Sequence, residues 1–368
     1  MLAPNIDQTR QQLTAILNVR HGLQLWINAL ENTVIPPLTP TPAWYTAVNT
    51  SLANTQHASR SFNSGTGPDI KEVLPNTFVE FSTFFGLLAR DLAPLLDQIQ
   101  KGGDIPDSAQ VKTLQALVGA MRKRAAEHQT TVVSIQKSLA GFHRGIVTER
   151  TALKKALAAA VPAEQKAADA VEKVQLLINA LEARLIALTT KANDTDVSEE
   201  KALYGLAIGV AMALGNFSLG GFGLGLLTVG IGFAQAEILN AEVEADVRQI
   251  GELMGTLIKD QEQFAMVEGV VSNLEGLMSG NEDAERNFSS FLDIWEFMLV
   301  RLDYLLVVLA QPKVNISLIP DFVALDQAVD VWQQISAFAS KVQNASLIHQ
   351  EPITITVNIP QSATATTA

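Results

Sequence analysis

The sequence predicts an all-α protein: an elongated bundle of long antiparallel helices (the tail) with a small head that carries a hydrophobic hairpin. Two observations predict this class. Over much of the chain, apolar residues recur at alternating steps of three and four, the spacing of helices that bury one stripe against their neighbours. The stretch 202–236, in contrast, contains no charged residue at all.

Three long apolar stripes define the predicted bundle, and they cover 107–157, 171–192 and 243–278. A helix of about 50 residues is about 75 Å long, which suits a rod-shaped bundle better than a single ball. His128 occupies one position of the first stripe, where we expect a packed core residue rather than a metal ligand. Pro162 lies between the first two stripes and is expected to break or kink the helix.

The remaining segments fit around these helices. Further helices are predicted over 5–32, 69–100, 282–311 and 321–346, with a loop SGNED at 279–283. Two alternating runs, 314–320 and 353–360, are expected to form a minor β-pairing near the C-terminus. We therefore expect a helical-bundle tail at 1–193 and 245–350, a head at 194–244, and a short strand with a flexible end at 351–368.

Composition excludes several classes of function. The net charge of the 368-residue chain is −12, so a nucleic-acid partner is not expected. Cysteine is absent and the five histidines are isolated in the sequence, which argues against disulfides and metal sites. The glycines near 223 do not complete a dinucleotide-binding pattern, because Thr228 stands where the third glycine is needed. We expect no catalytic residues, no cofactor and no metal.

The uncharged segment is too long for one membrane-spanning helix. As a single helix, 202–236 would be about 52 Å long, whereas the hydrocarbon core is about 30 Å thick. Turn-forming residues lie near its middle, at 215–221, and acidic residues flank both ends. The pattern predicts a hairpin that enters a membrane with both ends on one side. A buried core hairpin is the competing interpretation.

Two groups of residues follow from this prediction. The expected membrane-inserting residues are Leu203, Leu206, Ile208, Val210, Met212, Leu214, Phe217, Leu219, Phe222, Leu224, Leu226, Leu227, Val229, Ile231 and Phe233. The expected helix-packing or turn glycines are Gly205, Gly209, Gly215, Gly220, Gly221 and Gly225. Glycines four apart allow close helix approach in lipid, but glycine also leaves the segment free to change conformation, and both interpretations stay open.

The segment lacks the polar stripe that a channel lining needs. Its four polar residues, Asn216, Ser218, Thr228 and Gln235, do not recur at helical spacing. Either the hairpin only anchors the protein, or another subunit supplies the polar lining. We favour the second.

Long heptad-patterned helices interrupted by one charge-free, glycine-rich hairpin, without cysteine, resemble the cytolysin A type of α-pore-forming toxin. This family includes components of haemolysin BL and of the non-haemolytic enterotoxin, and the resemblance is closest to the B component of the Gram-negative tripartite cytolysins. It implies a soluble monomer that inserts its hairpin into a target-cell bilayer, self-associates there and assembles with other toxin components. Hinges are then expected near Asp194, Asp196 and Glu237, and at Pro162.

The resemblance also implies export without a standard signal peptide, and none is visible at the N-terminus. One alternative is a structural or membrane-tethering coiled-coil protein with a permanently inserted hairpin. A colicin-like channel domain is another, although its hairpin lies near the C-terminus, whereas more than 130 residues follow position 236 here.

Overall fold

A computed structural model describes residues 1–32, 41, 44–101, 108–160, 211–214, 224–232, 259–311, 319–344 and 350–358. Seven labelled helices lie in these ranges: α1 Ile6–Asn32, α2 Tyr45–Ser64, α3 Leu74–Gln100, α4 Ser108–Ala160, α5 Lys259–Leu309, α6 Ile319–Val323 and α7 Leu325–Asn344. One helical turn, Thr66–Pro68, and a π-helical segment, Asp69–Val73, lead into α3. Three strands complete the described chain: β1 Ala211–Leu214, β2 Leu224–Gly232 and β3 Gln350–Asn358. The predicted all-α class is confirmed.

The long helices follow the predicted apolar stripes. Helix α4 has 53 residues and α5 has 51, so each is close to 80 Å long. The predicted stripe on α4 is buried at Leu114, Val118, Met121, Ala125, Val132, Ile135, Leu139, Ile146 and Leu153. His128 is also buried, as expected for a core position.

The chain divides into two compact units. The first contains Met1–Leu17, Thr66–Leu139 and Ala284–Ala345, and the second contains Asn18–Gly65, Ala140–Asp283 and Ser346–Ala368. Helices α1, α4 and α5 contribute residues to both units.

An aromatic cluster forms the core of the first unit. Its buried members are Phe78, Phe81 and Phe85 of α3, Trp295 of α5 and Trp332 of α7. The ring centroids of Phe81 and Trp332 are 4.6 Å apart, and those of Phe81 and Trp295 are 5.4 Å apart. The Trp332 Nε1–H donates to the backbone carbonyl of Leu2 at 2.9 Å, so the N-terminus is tied to this core.

The second unit joins its helices through smaller clusters. Phe62 of α2 packs on Phe142 of α4, with ring centroids 4.8 Å apart. Between α4 and α5, the carboxylate of Glu275 accepts from Arg150 and Lys154, at 2.5 Å and 2.6 Å. These ion pairs lower the pKa of the Glu275 carboxyl, although partial burial opposes the shift.

The predicted loop at 279–283 is wrong, because α5 continues through these residues without a break. Asn281 is fully buried and its side-chain amide donates to the carbonyl of Leu277 at 3.2 Å. A Cβ at Gly280 would lie 3.1 Å from Cδ2 of the buried Leu23. The glycine therefore allows close packing against α1 rather than ending a helix.

The predicted pairing of 314–320 with 353–360 falls partly outside the described residues, because 314–318 and 359–360 are not among them. Ile319 and Pro320 begin α6, and residues 312–318 lie outside the described part of the chain. The C-terminal run forms β3 as expected, but its partner is β2 of the uncharged segment. Two further expected stripes, 171–192 and most of 243–278, lie outside the residues with described side chains.

Helix α2 was not predicted. Its sequence is rich in Ser, Thr and Asn, residues with low helix propensity. It nevertheless buries Val48, Leu52, Thr55, Ser59 and Phe62, a stripe with steps of three and four, together with the adjacent Ser51. That spacing, carried in part by small polar residues, is the signal that could have found it.

Candidate membrane-inserting segment

The uncharged segment contributes two strands to a three-stranded antiparallel sheet with the order β1–β2–β3. Ala211 of β1 pairs with Gly230 of β2, and Leu214 pairs with Leu227. Because Leu214 pairs with Leu227, the midpoint of the connection falls between positions 220 and 221, within the predicted turn region. The connecting residues 215–223 themselves lie outside the described part.

The strands hold about half of the predicted inserting residues. Met212 and Leu214 lie in β1, and Leu224, Leu226, Leu227, Val229 and Ile231 lie in β2, together with Gly225. Outside the described residues are Leu203, Leu206, Ile208, Val210, Phe217, Leu219, Phe222 and Phe233. The same holds for Gly205, Gly209, Gly215, Gly220 and Gly221, and for the hinge candidates Pro162, Asp194, Asp196 and Glu237.

Local composition explains why β2 is a strand in this state. Three of its nine residues are glycines, each of which costs about 1 kcal/mol in a helix relative to alanine. Thr228, Val229 and Ile231 are β-branched and favour extended backbone. In water the segment therefore has little intrinsic preference for the helical form.

The third strand comes from the C-terminal end of the chain. All nine residues of β3 pair with β2, from Leu224 opposite Asn358 to Gly232 opposite Gln350. The alternating residues at 353–360 predict this strand, but the sequence suggests 314–320, and not β2, as its neighbour. The sequence predicts a helical hairpin in the membrane and leaves the conformation of the segment in water open, so it does not identify β2 as a partner for the C-terminal run.

Register separates the sheet residues into two sets. Residues that alternate along a strand share a face, and directly paired residues share it too. One face holds Met212, Leu214, Gly225, Leu227, Val229, Ile231, Glu351, Ile353, Ile355 and Val357. The other holds Ala211, Ala213, Leu224, Leu226, Thr228, Gly230, Gly232, Gln350, Pro352, Thr354, Thr356 and Asn358. The first face is mainly aliphatic and the second is mainly small or polar.

The helical part of the chain provides a second apolar surface. Val300, Tyr304 and Val307 lie on one face of α5 and are 61%, 55% and 61% exposed. Phe297 and Phe322 extend this surface, with the Tyr304 and Phe322 rings 5.1 Å apart. The Arg301 guanidinium lies 4.6 Å from the Phe297 ring centroid. We call Phe297, Val300, Tyr304 and Val307 the α5 surface; clustered exposed apolar residues of this kind are typical of protein or membrane contacts.

Among the described residues, no cluster of three or more His, Asp or Glu residues could hold a metal ion. His128 lies among aromatic rings, 5.1 Å from Trp295 and 6.1 Å from Phe81 between centroids. Burial, assisted by the nearby Arg124, lowers its pKa to about 4.

None of the described helices contains an apolar span long enough to cross a membrane.

Solved structures of toxin components resemble this fold over nearly the whole chain. Motility Associated Killing Factor B from Vibrio cholerae matches with a TM-score of 0.71 at 14% identity, over 93% of this chain and 94% of its own. SmhA of the tripartite α-pore-forming toxin Smh from Serratia marcescens matches at 0.65 and 12% identity, over 94% and 95%. AhlB of the tripartite α-pore-forming toxin AHL from Aeromonas hydrophila matches at 0.57 and 12%, over 90% and 93%.

These likenesses are of structure and not of sequence. No protein-family model and no curated protein matches the chain. Helices of more than 50 residues and the shared coverage above 90% nevertheless extend the similarity to the whole architecture. The chain therefore has the fold of the α-pore-forming toxin components.

Proposed function

We propose that this chain is one component of a multi-part pore-forming toxin, exported in a water-soluble form, which inserts residues 202–236 into the bilayer of a target cell. The observation that carries the proposal is the charge-free segment, held as strands β1 and β2 within a pore-forming-toxin fold. No metal cluster in the described residues offers a competing chemistry.

Insertion requires the segment to change its secondary structure. Backbone N–H and C=O groups in the hydrocarbon core must be paired within the protein, so only helices and closed barrels span it. The three described strands form an open sheet rather than a closed barrel, and such a sheet cannot enter lipid as it stands. Refolding into two helices of about 22 Å, joined near 220 and 221, satisfies the backbone and leaves no charge to bury.

The proposed head and hinges follow from this change. The head covers 194–244, between tail helices at 1–193 and 245–350. Asp194, Asp196 and Glu237 mark the polar boundaries where the new helices would leave the membrane, and Pro162 marks a further bending point. Aspartate and glutamate are costly in the hydrocarbon core, which supports placing them at the water interface.

The absence of a polar stripe supports the role of a component that inserts an apolar hairpin but does not line the pore by itself. A ring of such hairpins would present apolar surface to its lumen, so a second component with amphipathic helices would supply the lining. The proposed partners are thus a lipid bilayer, further copies of the chain and other toxin components.

Two Leu226 variants test the proposal in liposomes. Leu226→Asp places a charge in the inserting segment, costing about 3 kcal/mol at the bilayer centre, while Leu226→Ile keeps the residue apolar. We expect the Asp variant to lose membrane insertion by about 100-fold and the Ile variant to insert like the parent. Equal insertion of both variants would remove the hairpin from the proposal.

The tethering alternative predicts a different behaviour on purification. A permanently inserted protein requires detergent for extraction, whereas the proposed toxin component is recovered from detergent-free buffer and binds added liposomes. We expect little dye release from those liposomes by the chain alone and release when co-encoded components are added. Efficient release by the chain alone would contradict the proposed need for a partner lining.

A further inference from the structure

The two neighbours of strand β2 pair with it over very different lengths. Strand β1, the other arm of the same hairpin, pairs with β2 at four residues. Strand β3, from the C-terminal end of the chain, pairs with all nine. Among the described residues, most of the strand pairing that keeps β2 extended therefore comes from outside the inserting segment.

We propose that β3 is a latch: its pairing with β2 holds the inserting segment in the strand form, and its release is the step that permits insertion. This inference rests on the proposed function and adds a control element to it. Refolding of β2 into a helix requires its ladder hydrogen bonds with β3 to break, because a backbone N–H or C=O group cannot be hydrogen-bonded in the sheet and in the helix at the same time.

The composition of β3 prevents it from entering lipid with the hairpin. Glu351 is charged, and Pro352 lacks the N–H that a membrane helix or strand would use. Gln350, Thr354, Thr356 and Asn358 alternate along the strand with the apolar residues. Because the inserting segment 202–236 is free of charge and β3 is not, the two must separate before or during insertion.

The pairing is also built to be released. Gly225, Gly230 and Gly232 occupy three of the nine β2 positions, and Gly230 lies directly opposite Pro352. Glycine inside a strand weakens it, because it has no side chain to pack. The latch thus combines a long register with weak individual pairs, which suits a restraint that opens once.

Two truncations separate the latch from the rest of the C-terminus. One variant ends at residue 345 and lacks β3; its matched control ends at residue 358 and retains it. Amide hydrogen exchange in buffer, without lipid, reports the opening of β1 and β2. We expect exchange there to accelerate by about 100-fold in the shorter variant and to be unchanged in the control. Equal exchange in both would overturn the latch.

A reversible lock provides a second test in the complete chain, which has no cysteine of its own. Val229 and Ile353 are direct partners, and paired residues of antiparallel strands lie close enough for a disulfide. The double variant Val229→Cys with Ile353→Cys should fail to insert into liposomes when oxidised and recover on reduction. Insertion at the same rate in both redox states would overturn the latch.

The two readouts distinguish the latch from the proposed function. If the shorter truncation accelerates exchange but neither it nor the parent chain ever enters liposomes, the proposed function fails while the restraint on β2 stands. If the parent chain inserts but the truncation and the disulfide leave both exchange and insertion rate unchanged, the function stands and the latch fails.

Discussion

His128 makes the stability of the first unit depend on pH. Its ring is buried beside Trp295 and Phe81, and its Nε2 has no hydrogen-bond partner among the described residues. Burial is the largest cause of the lowered pKa, and the positive charge of Arg124 adds to it. Glu80 and Glu127 act in the opposite direction but do not compensate. The folded protein therefore holds a neutral imidazole at pH 7.

The direction of the pH effect follows from the two pKa values. The folded-state pKa of about 4 lies below the ordinary value of 6.5, so the unfolded chain binds the proton more readily. The contribution to stability is fully present above pH 6.5 and is lost as the pH falls towards 4. The full difference corresponds to about 3 kcal/mol, of which about 2 kcal/mol is lost between pH 7 and pH 5.

Denaturant unfolding of the parent chain and of His128→Leu at pH 7 and pH 5 measures this contribution. Both proteins carry the same carboxylates, so the difference between their pH responses isolates the imidazole. We expect the parent to lose about 2 kcal/mol more than the variant over this interval. Parallel pH responses would refute the neutral buried imidazole.

Three further perturbations test other parts of the structure. Gly280→Val should lower the free energy of unfolding by about 1–3 kcal/mol, because the valine side chain would collide with Leu23. Gly119→Ala should raise the free energy of unfolding by up to about 1 kcal/mol, because the space around its Cβ is open. Chemical denaturation measures both. Glu275→Gln should cost at most about 1 kcal/mol and should lose its effect in high salt, because the pairs with Arg150 and Lys154 are partly exposed; unfolding at two salt concentrations checks this. Val300→Glu combined with Val307→Glu should leave the melting temperature unchanged and reduce association with other components on liposomes, since both positions are exposed; sedimentation and cross-linking report the outcome.

The helical bundle was predictable because its signal is periodic and extends over many turns. The buried positions on α4 coincide with the apolar stripe, including the histidine that takes one place in it. The loop prediction for SGNED at 279–283 is wrong, although Gly and Asn usually favour turns. Here Gly280 provides room for Leu23, and the side-chain amide of the buried Asn281 donates to a carbonyl of its own helix, so tertiary packing overrides local preference.

The sheet was predictable only in part, for a physical reason. The β3 residues show a clear period of two, but a strand cannot show in its own sequence which edge it joins. The uncharged segment carries two compatible patterns: helix lengths that suit a bilayer, and glycine with β-branched residues that suit strands in water. Because these two patterns favour different structures, the local sequence does not decide between them, and the strand form is seen only in the structure.

Tail and head boundaries stay predictions, because residues 161–200 and 233–258 lie outside the described part of the chain. The expected hinges lie there, and bending at Pro162 or near Glu237 is open to direct measurement. Spin-label pairs placed on either side of each position would report a change in distance on addition of liposomes.

Single-cysteine labelling tests the central claim most directly, because the chain contains no native cysteine. A polarity-sensitive fluorophore at Leu227→Cys is compared with the same label at Val300→Cys on α5, using liposomes that carry quenchers in the hydrocarbon core. The account predicts a blue shift and strong quenching at position 227, with the label at position 300 unaffected by core quenchers. A label at position 227 that stays unquenched while the protein is bound to the liposomes would contradict insertion of this segment.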